Sequence, residues 1–171
     1  MNRAVVTKTA AGLVAYMRNH NLSSVVVGRD ARYGSKDFAQ DTAEMMQGAG
    51  MKVNLLPTAL PTPVLAYAVR ELKCDVGIMV TASHNPPEDN GYKVYLGGIV
   101  DQIRYEGSQI ISPADAQISE YISQVPDLNS LKRSSGAEVL DNTIIDSYIK
   151  AAAKLATSNS CLLYTSDAAD E

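Results

Sequence analysis

The sequence predicts an α/β fold, a three-layer α/β/α sandwich around a mostly parallel, mixed sheet. Three observations predict it. Short β-branched or apolar runs recur at Ser24-Val25-Val26-Val27-Gly28, Lys52-Val53-Asn54-Leu55-Leu56 and Val76-Gly77-Ile78-Met79-Val80. Segments with apolar residues at helical spacing lie between them. Polar loops holding glycine or proline mark each change of period. Strands and helices that alternate in this way form a largely parallel sheet with helices on both faces.

The elements follow in order. Residues 4–19 read as a helix, with Val5, Val6, Leu13, Val14 and Met17 recurring at helical spacing. The first strand follows at 24–28 and opens into the loop Gly28-Arg29-Asp30-Ala31-Arg32-Tyr33-Gly34-Ser35. Ser35 is the expected N-cap of a helix that runs to Gly48, and Gly48 or Gly50 stops it. After the strand at 52–56, Pro63 suits the first turn of a helix that ends near Leu72. The strand 76–80 leads into a long polar loop, and the chain returns as a strand over 91–96. Gly97-Gly98 makes a turn. Residues 113–125 form an amphipathic helix with Ile118, Tyr121, Ile122 and Val125 on one side. The short strand after the polar loop is free to pair in the other direction, hence a mixed sheet.

Residues 126–140 are polar and irregular, as an exposed connector would be. Residues 141–155 read as a further helix, with Ile144, Ile145, Tyr148, Ile149 and Ala152 in register. An amphipathic helix with no partner element after it reads as the start of a second domain, over 141–160. The tail 161–171 breaks that pattern and reads as the in-frame translation of a sequencing adapter, so it is set aside from the fold.

Composition narrows the classes. The chain has 171 residues and a net charge of −4, enough for one good core and part of another. No basic run suits nucleic acid, and no apolar run approaches the roughly 20 residues of a membrane span. Cys74 and Cys161 lie far apart and form no metal spacing. A cytoplasmic setting is expected, with Cys74 as a small packing residue. His20, near a helix end, has no assigned role. Met45-Met46 is expected in the core, and Glu88 and Asp89 are expected to be solvated.

The chemistry concentrates in Thr81-Ala82-Ser83-His84-Asn85-Pro86-Pro87-Glu88-Asp89-Asn90-Gly91-Tyr92-Lys93-Val94-Tyr95. A serine hydroxyl sits where a buried strand emerges at its carboxyl end, the usual ligand end of such sheets. A lysine follows on the returning strand and suits proton transfer. Ser83 and His84 are adjacent, so in extended chain they point to opposite faces, which argues against a Ser-His hydrolase couple. Asn85-Pro86 and Asp89-Asn90-Gly91 are also ordinary turn formers, so a plain turn stays open. In the first loop, Asp30 is a metal ligand, an aspartyl nucleophile or, the commoner case, the acceptor of an Asx turn. Arg29 and Arg32 either face a phosphate or form ion pairs, the commoner fate of loop arginines.

The fifteen-residue run resembles the phosphoserine loop of the α-D-phosphohexomutases, the family of phosphoglucomutases and phosphomannomutases. Gly28-Arg29-Asp30-Ala31-Arg32 and Pro61-Thr62-Pro63 precede it in the family's order. The resemblance covers residues 1 to about 155. It implies that Ser83 carries a phosphoryl group, that Lys93 is the general acid/base, and that His84 and Asn85 line the phosphate. Arg29 and Arg32 are the further phosphate-binding candidates. It also implies a Mg²⁺ cofactor with phospho-Ser83 as one ligand, and a hexose phosphate and its bisphosphate as partners. The reaction implied moves a phosphoryl group between the 1- and 6-positions of a hexose. The related alternatives are a phosphopentomutase and a non-catalytic module that binds a phosphosugar. Three family features have no counterpart in this sequence: the Asp-x-Asp-x-Asp metal loop, the sugar-selecting loop and the C-terminal phosphate-binding domain. The Gly-Thr-x-Gly-x-Arg segment and its strand are likewise expected ahead of residue 1. The resemblance therefore divides the chain into domain I at 1–125, a linker at 126–140 and the start of domain II, with domains II–IV as its missing partners. A piece of this kind is expected to be inactive by itself.

Overall fold

The structure, a computed structural model, describes residues 1–126, 128 and 131–155. These fall into two compact units, Met1–Asp141 and a second that begins at Asn142. The first holds α1 (Arg3–Asn19), β1 (Ser24–Arg29), α2 (Ser35–Gly48), β2 (Lys52–Leu55), α3 (Thr62–Glu71) and β3 (Val76–Val80). It continues through β4 (Tyr92–Leu96), β5 (Ile99–Val100), β6 (Ile103–Arg104), β7 (Ser108–Gln109), α4 (Ala114–Ser123) and β8 (Glu138–Val139). The second unit is described through α5 (Thr143–Ala153), with Ile144 buried.

The main sheet has the order β7-β4-β3-β1-β2-β8. The pairs β3-β1, β1-β2 and β2-β8 are parallel, whereas β4 runs antiparallel to β3 and β7 antiparallel to β4. The sheet is mixed because a loop of eleven residues, 81–91, returns the chain directly beside β3 with no crossover helix. Strand alternation splits the sheet into two buried faces. Val25, Val27, Val76, Ile78, Val80, Val94 and Leu96 join one core with residues of α1, α2 and α4. The other face carries Val26 and Met79, both fully buried, under α3. There α3 lies so close that a Cβ at Gly77 would stand 2.4 Å from Val69. Helices on both faces of the sheet give the α/β/α sandwich.

Local chemistry sets the helix starts. The Asn2 side chain accepts the Val5 amide at 2.9 Å and caps α1. Pro63 sits in the first turn of α3, where its missing N–H costs nothing. Ser35 departs from its expected role as N-cap. It is the first residue of α2, behind Gly34 at φ 77°, and its hydroxyl turns to other loop groups instead. The N-cap therefore falls on a residue in the left-handed region that glycine tolerates.

The expected connector is exposed and irregular over most of its described length, but it is also anchored to the first unit. Leu131 packs against the core, the Ser134 amide donates to Glu44 O at 3.1 Å, and β8 adds an edge strand to β2. Arg133 reaches the wholly buried Asp41 of α2 at 2.7 Å, and Arg3 binds the same carboxylate at 2.6 and 2.7 Å. A polar stretch reads as solvated in sequence, and it is; what the sequence does not show is that Leu131, the Ser134 amide, Arg133 and β8 fasten it at separate points. Cys74 and the Met45-Met46 pair are buried, as expected. The tail expected as adapter sequence, 161–171, lies outside the described residues, as do residues 156–160 of the expected start of a second domain.

Candidate active site

Two loops meet at the carboxyl ends of β1 and β3. Residues 30–34 follow β1, and residues 81–91 follow β3. Parallel pairing aligns Arg29 with Val80, so the loops leave the sheet side by side. The Asp30 amide donates to Val80 O at 3.1 Å, and the Thr81 amide donates to Gly91 O at 3.1 Å. These bonds seat the foot of each loop. Gly91 is required there, because a Cβ on it would lie 2.7 Å from Thr81 O.

Ser83 stands exposed at the mouth with φ 56°, in the left-handed region that L-residues other than Asn and Asp rarely adopt. Its amide donates to Thr81 Oγ1 at 3.0 Å, and the Asn85 amide donates to Ala82 O at 3.1 Å. A backbone held in a costly region at an exposed hydroxyl is the kind of strain that clusters at working sites. His84 and Asn85 are exposed beside it. The Asn85 side-chain amide donates to Asp89 Oδ2 at 3.3 Å, and His84 forms no hydrogen bond among the described residues. Lys93 is half-buried on β4, directly across from Met79. Register thus brings lysine and serine to the same end of the sheet although they lie ten positions apart in the chain.

The first loop serves the second. Asp30 Oδ1 accepts the Arg32 amide at 3.2 Å, the Asx turn favoured from the sequence. Its Oδ2 pairs with Arg32 Nε at 2.8 Å. Burial pushes the Asp30 carboxyl up, but hydrogen bonds from Thr81, Ser35 and Arg32 outweigh it and hold the group below its ordinary value. Asp30 is therefore an anion at neutral pH, committed to structure. The Ser35 hydroxyl lies 2.8 Å from Asp30 Oδ1 and 2.7 Å from Asn90 Oδ1, while the Asn90 side-chain amide donates to Tyr33 O. Arg32 spends the rest of its guanidinium on backbone carbonyls of the Ser83 loop. Arg29 stands apart from that clamp. It donates to Asp30 O at 3.2 Å and lines a cavity of about 130 Å³ with Lys36 and Gln40.

The sequence names Ser83, His84, Asn85, Lys93, Asp30, Arg29 and Arg32 as candidates, and the structure sets them on or beside these two loops. Sequence reading missed Ser35, Thr81 and Asn90 as supports of the loop. Asn90 had been read only as a turn former before Gly91, and nothing local ties it to Tyr33.

Fold and site together define a doubly covered α/β domain that presents a serine at positive φ, and a lysine on the neighbouring strand, at the ligand end of its sheet. Comparison with known proteins is more specific. The family of phosphoglucomutase/phosphomannomutase, alpha/beta/alpha domain I, matches residues 1–126. This chain belongs to that family. It is 48% identical over 164 residues to a Haemophilus influenzae protein named "probable phosphomannomutase", covering 94% of this chain and 33% of that protein. It is 44% identical over 128 residues to the Saccharomyces cerevisiae phosphoribomutase, covering 71% of this chain and 19% of the other. A solved structure of a Thermus thermophilus protein named "putative phosphomannomutase" superimposes with a TM-score of 0.76 at 30% identity, over 91% of this chain and 33% of that one. The chain thus spans about a third or less of the length of these relatives.

Proposed function

We propose that this chain is the phosphoserine domain of a longer phosphohexomutase, which moves a phosphoryl group between the 1- and 6-positions of a hexose phosphate. The observation that carries the proposal is Ser83, exposed at φ 56° at the end of β3 in a loop braced from a second strand. A sugar hydroxyl attacks the phosphorus of phospho-Ser83, a new sugar O–P bond forms, and the Ser83 O–P bond breaks. Lys93 takes the proton of the attacking hydroxyl and returns one to the Ser83 oxygen. The bisphosphate formed turns around and gives its other phosphoryl group back to Ser83. Such a transfer is governed by positioning and charge stabilisation, and a rigid serine supplies the first. His84 and Asn85 flank the phosphate in this reading.

Mg²⁺ belongs to the proposed enzyme, but the described residues do not make its site. No group of three His, Cys, Asp or Glu side chains converges among them. One serine phosphate oxygen is too little for an ion that seeks several oxygen ligands. The other ligands would come from outside the described residues, as would the sugar-selecting and distal phosphate contacts. The proposed setting is cytoplasmic. No described helix is long and apolar enough to cross a membrane.

The test is intact-mass analysis and assay of the complete protein. Phosphate on Ser83, interconversion of hexose 1- and 6-phosphates, and loss of turnover in Ser83→Ala are expected. Ample turnover in Ser83→Ala would overturn the assignment. Residues 1–171 alone are expected to be inactive, and measurable conversion by them would refute that part. The similarity to a phosphoribomutase supports a second reading, a phosphopentomutase with the same serine, and the ratio of rates on pentose and hexose phosphates decides between them. A non-catalytic phosphosugar-binding module would show no phosphate on Ser83.

A further inference from the structure

Resting on the assignment of Ser83 above, we infer that Arg32 is a positioning residue, which sets the backbone of the Ser83 loop in place of binding a phosphate itself. Its side chain is only 11% exposed, although the loop it serves is open to solvent. Nη1 donates to Asn85 O at 2.8 Å and Pro86 O at 2.6 Å, and Nη2 donates to Ser83 O. Nε is held by Asp30 at 2.8 Å, which fixes the plane of the fork. Three carbonyls from four consecutive residues thus converge on one cation, with Asp89 O a more distant fourth at 3.4 Å. Their oxygen ends would repel one another without it, and no neutral side chain presents so many donors in one plane.

The arrangement has a chemical consequence. In a trans peptide the carbonyl and the following N–H point to opposite sides. Asn85 and Pro86 are each followed by proline, so capturing their carbonyls turns out no donor. Ser83 is followed by His84, whose N–H must face away from the guanidinium and has no partner among the described residues. Arg32 therefore holds Ser83 at its positive φ and turns the adjacent amide outward, as a donor for a phosphate on the Ser83 oxygen. The lever is long in sequence, since Arg32 lies 51 residues from Ser83.

The experiment has two arms. In the 171-residue chain, Arg32→Gln and Arg32→Lys are compared with the parent by amide hydrogen exchange. Faster exchange at the Ser83 and Asn85 amides is expected, with β1 and β3 still protected. Unchanged exchange at those amides overturns the positioning role, and so does loss of protection throughout both variants, which would make Arg32 a general structural residue. In the complete protein, kcat is expected to fall about 100-fold in Arg32→Gln, with KM nearly constant. Added guanidinium should restore part of it in Arg32→Gly. A rise in KM with kcat preserved would make Arg32 a phosphate contact and overturn the inference. If the parent protein carries no phosphate on Ser83 and turns nothing over, the functional reading fails by itself, and the exchange arm still decides whether Arg32 sets the loop.

Discussion

Asp41 offers the sharpest test of how the first unit is held together. It is wholly buried on α2, and its carboxylate accepts three bonds, two from Arg3 and one from Arg133. Arg133 also donates to Thr7 Oγ1 at 2.7 Å, so one acid ties α1, α2 and the stretch before β8. Hydrogen bonds to a charged group are worth about 1.5–3 kcal/mol each. The full sum does not apply, because the Arg3 and Arg133 side chains are 67% and 38% exposed and water screens them. Asp41→Asn keeps the shape, removes the charge and turns an N–H toward an arginine. The expected loss is about 3 kcal/mol, or roughly a 10 °C fall in Tm for a unit of this size. Hydrogen bonds from Arg3 hold the Asp41 carboxyl below its ordinary value, with those from Arg133 adding to them against the opposing effect of burial. A depressed carboxylate stabilises the fold fully above its unfolded pKa of about 3.9, and the contribution is lost as pH falls through the lower folded value. Urea unfolding followed by circular dichroism at about pH 7 and about pH 3 measures both effects. The gap between parent and variant should be large at the higher pH and should shrink at the lower. Asp30 is depressed too, so the variant keeps a smaller acid sensitivity of its own. A variant within about 0.5 kcal/mol of the parent at neutral pH, or a gap that does not narrow in acid, would refute the reasoning.

Three further outcomes follow from the site and its surroundings. Ser83→Gly should stabilise the chain by about 0.5–1 kcal/mol in urea unfolding, since the left-handed backbone costs an L-residue about 1–2 kcal/mol and glycine returns about half of that in the unfolded chain; a less stable variant would deny the strain. Gly91→Ala should destabilise by about 2 kcal/mol, because its Cβ would press on Thr81 O at 2.7 Å and the foot of the loop would have to move; a Tm equal to the parent's would show that the loop yields freely. In a Cys161→Ser background, Cys74 should react with a thiol reagent only as fast as the protein opens, because burial pushes its thiol up and leaves it 3% exposed; rapid labelling of the native chain would contradict that.

What could be read from the sequence, and what could not, follows the range of the forces involved. The strands β1, β2 and β3 and the helices between them carry their own periodicity, and each lies within a residue or two of its expected place. The strands β7 and β8 are two residues long, with all four residues exposed, so no apolar pattern marks them. They exist because neighbours supply hydrogen bonds: β4 in one case, β2 in the other. The site divides in the same way. Ser83 and Lys93 were legible because one loop and one strand hold them within eleven residues. Arg32 was legible as an arginine beside an acid, and that pair is present. Its larger task was not legible, because the carbonyls it gathers belong to residues more than fifty positions away and backbone oxygens leave no mark in a sequence. Ser35 shows the same limit, for the residue type suited a helix cap, but a left-handed Gly34 takes that place and frees the hydroxyl for Asp30 and Asn90. Local propensity therefore names the residues that can perform a role. Which role each takes is decided where two loops from neighbouring parallel strands are forced to share one end of the sheet.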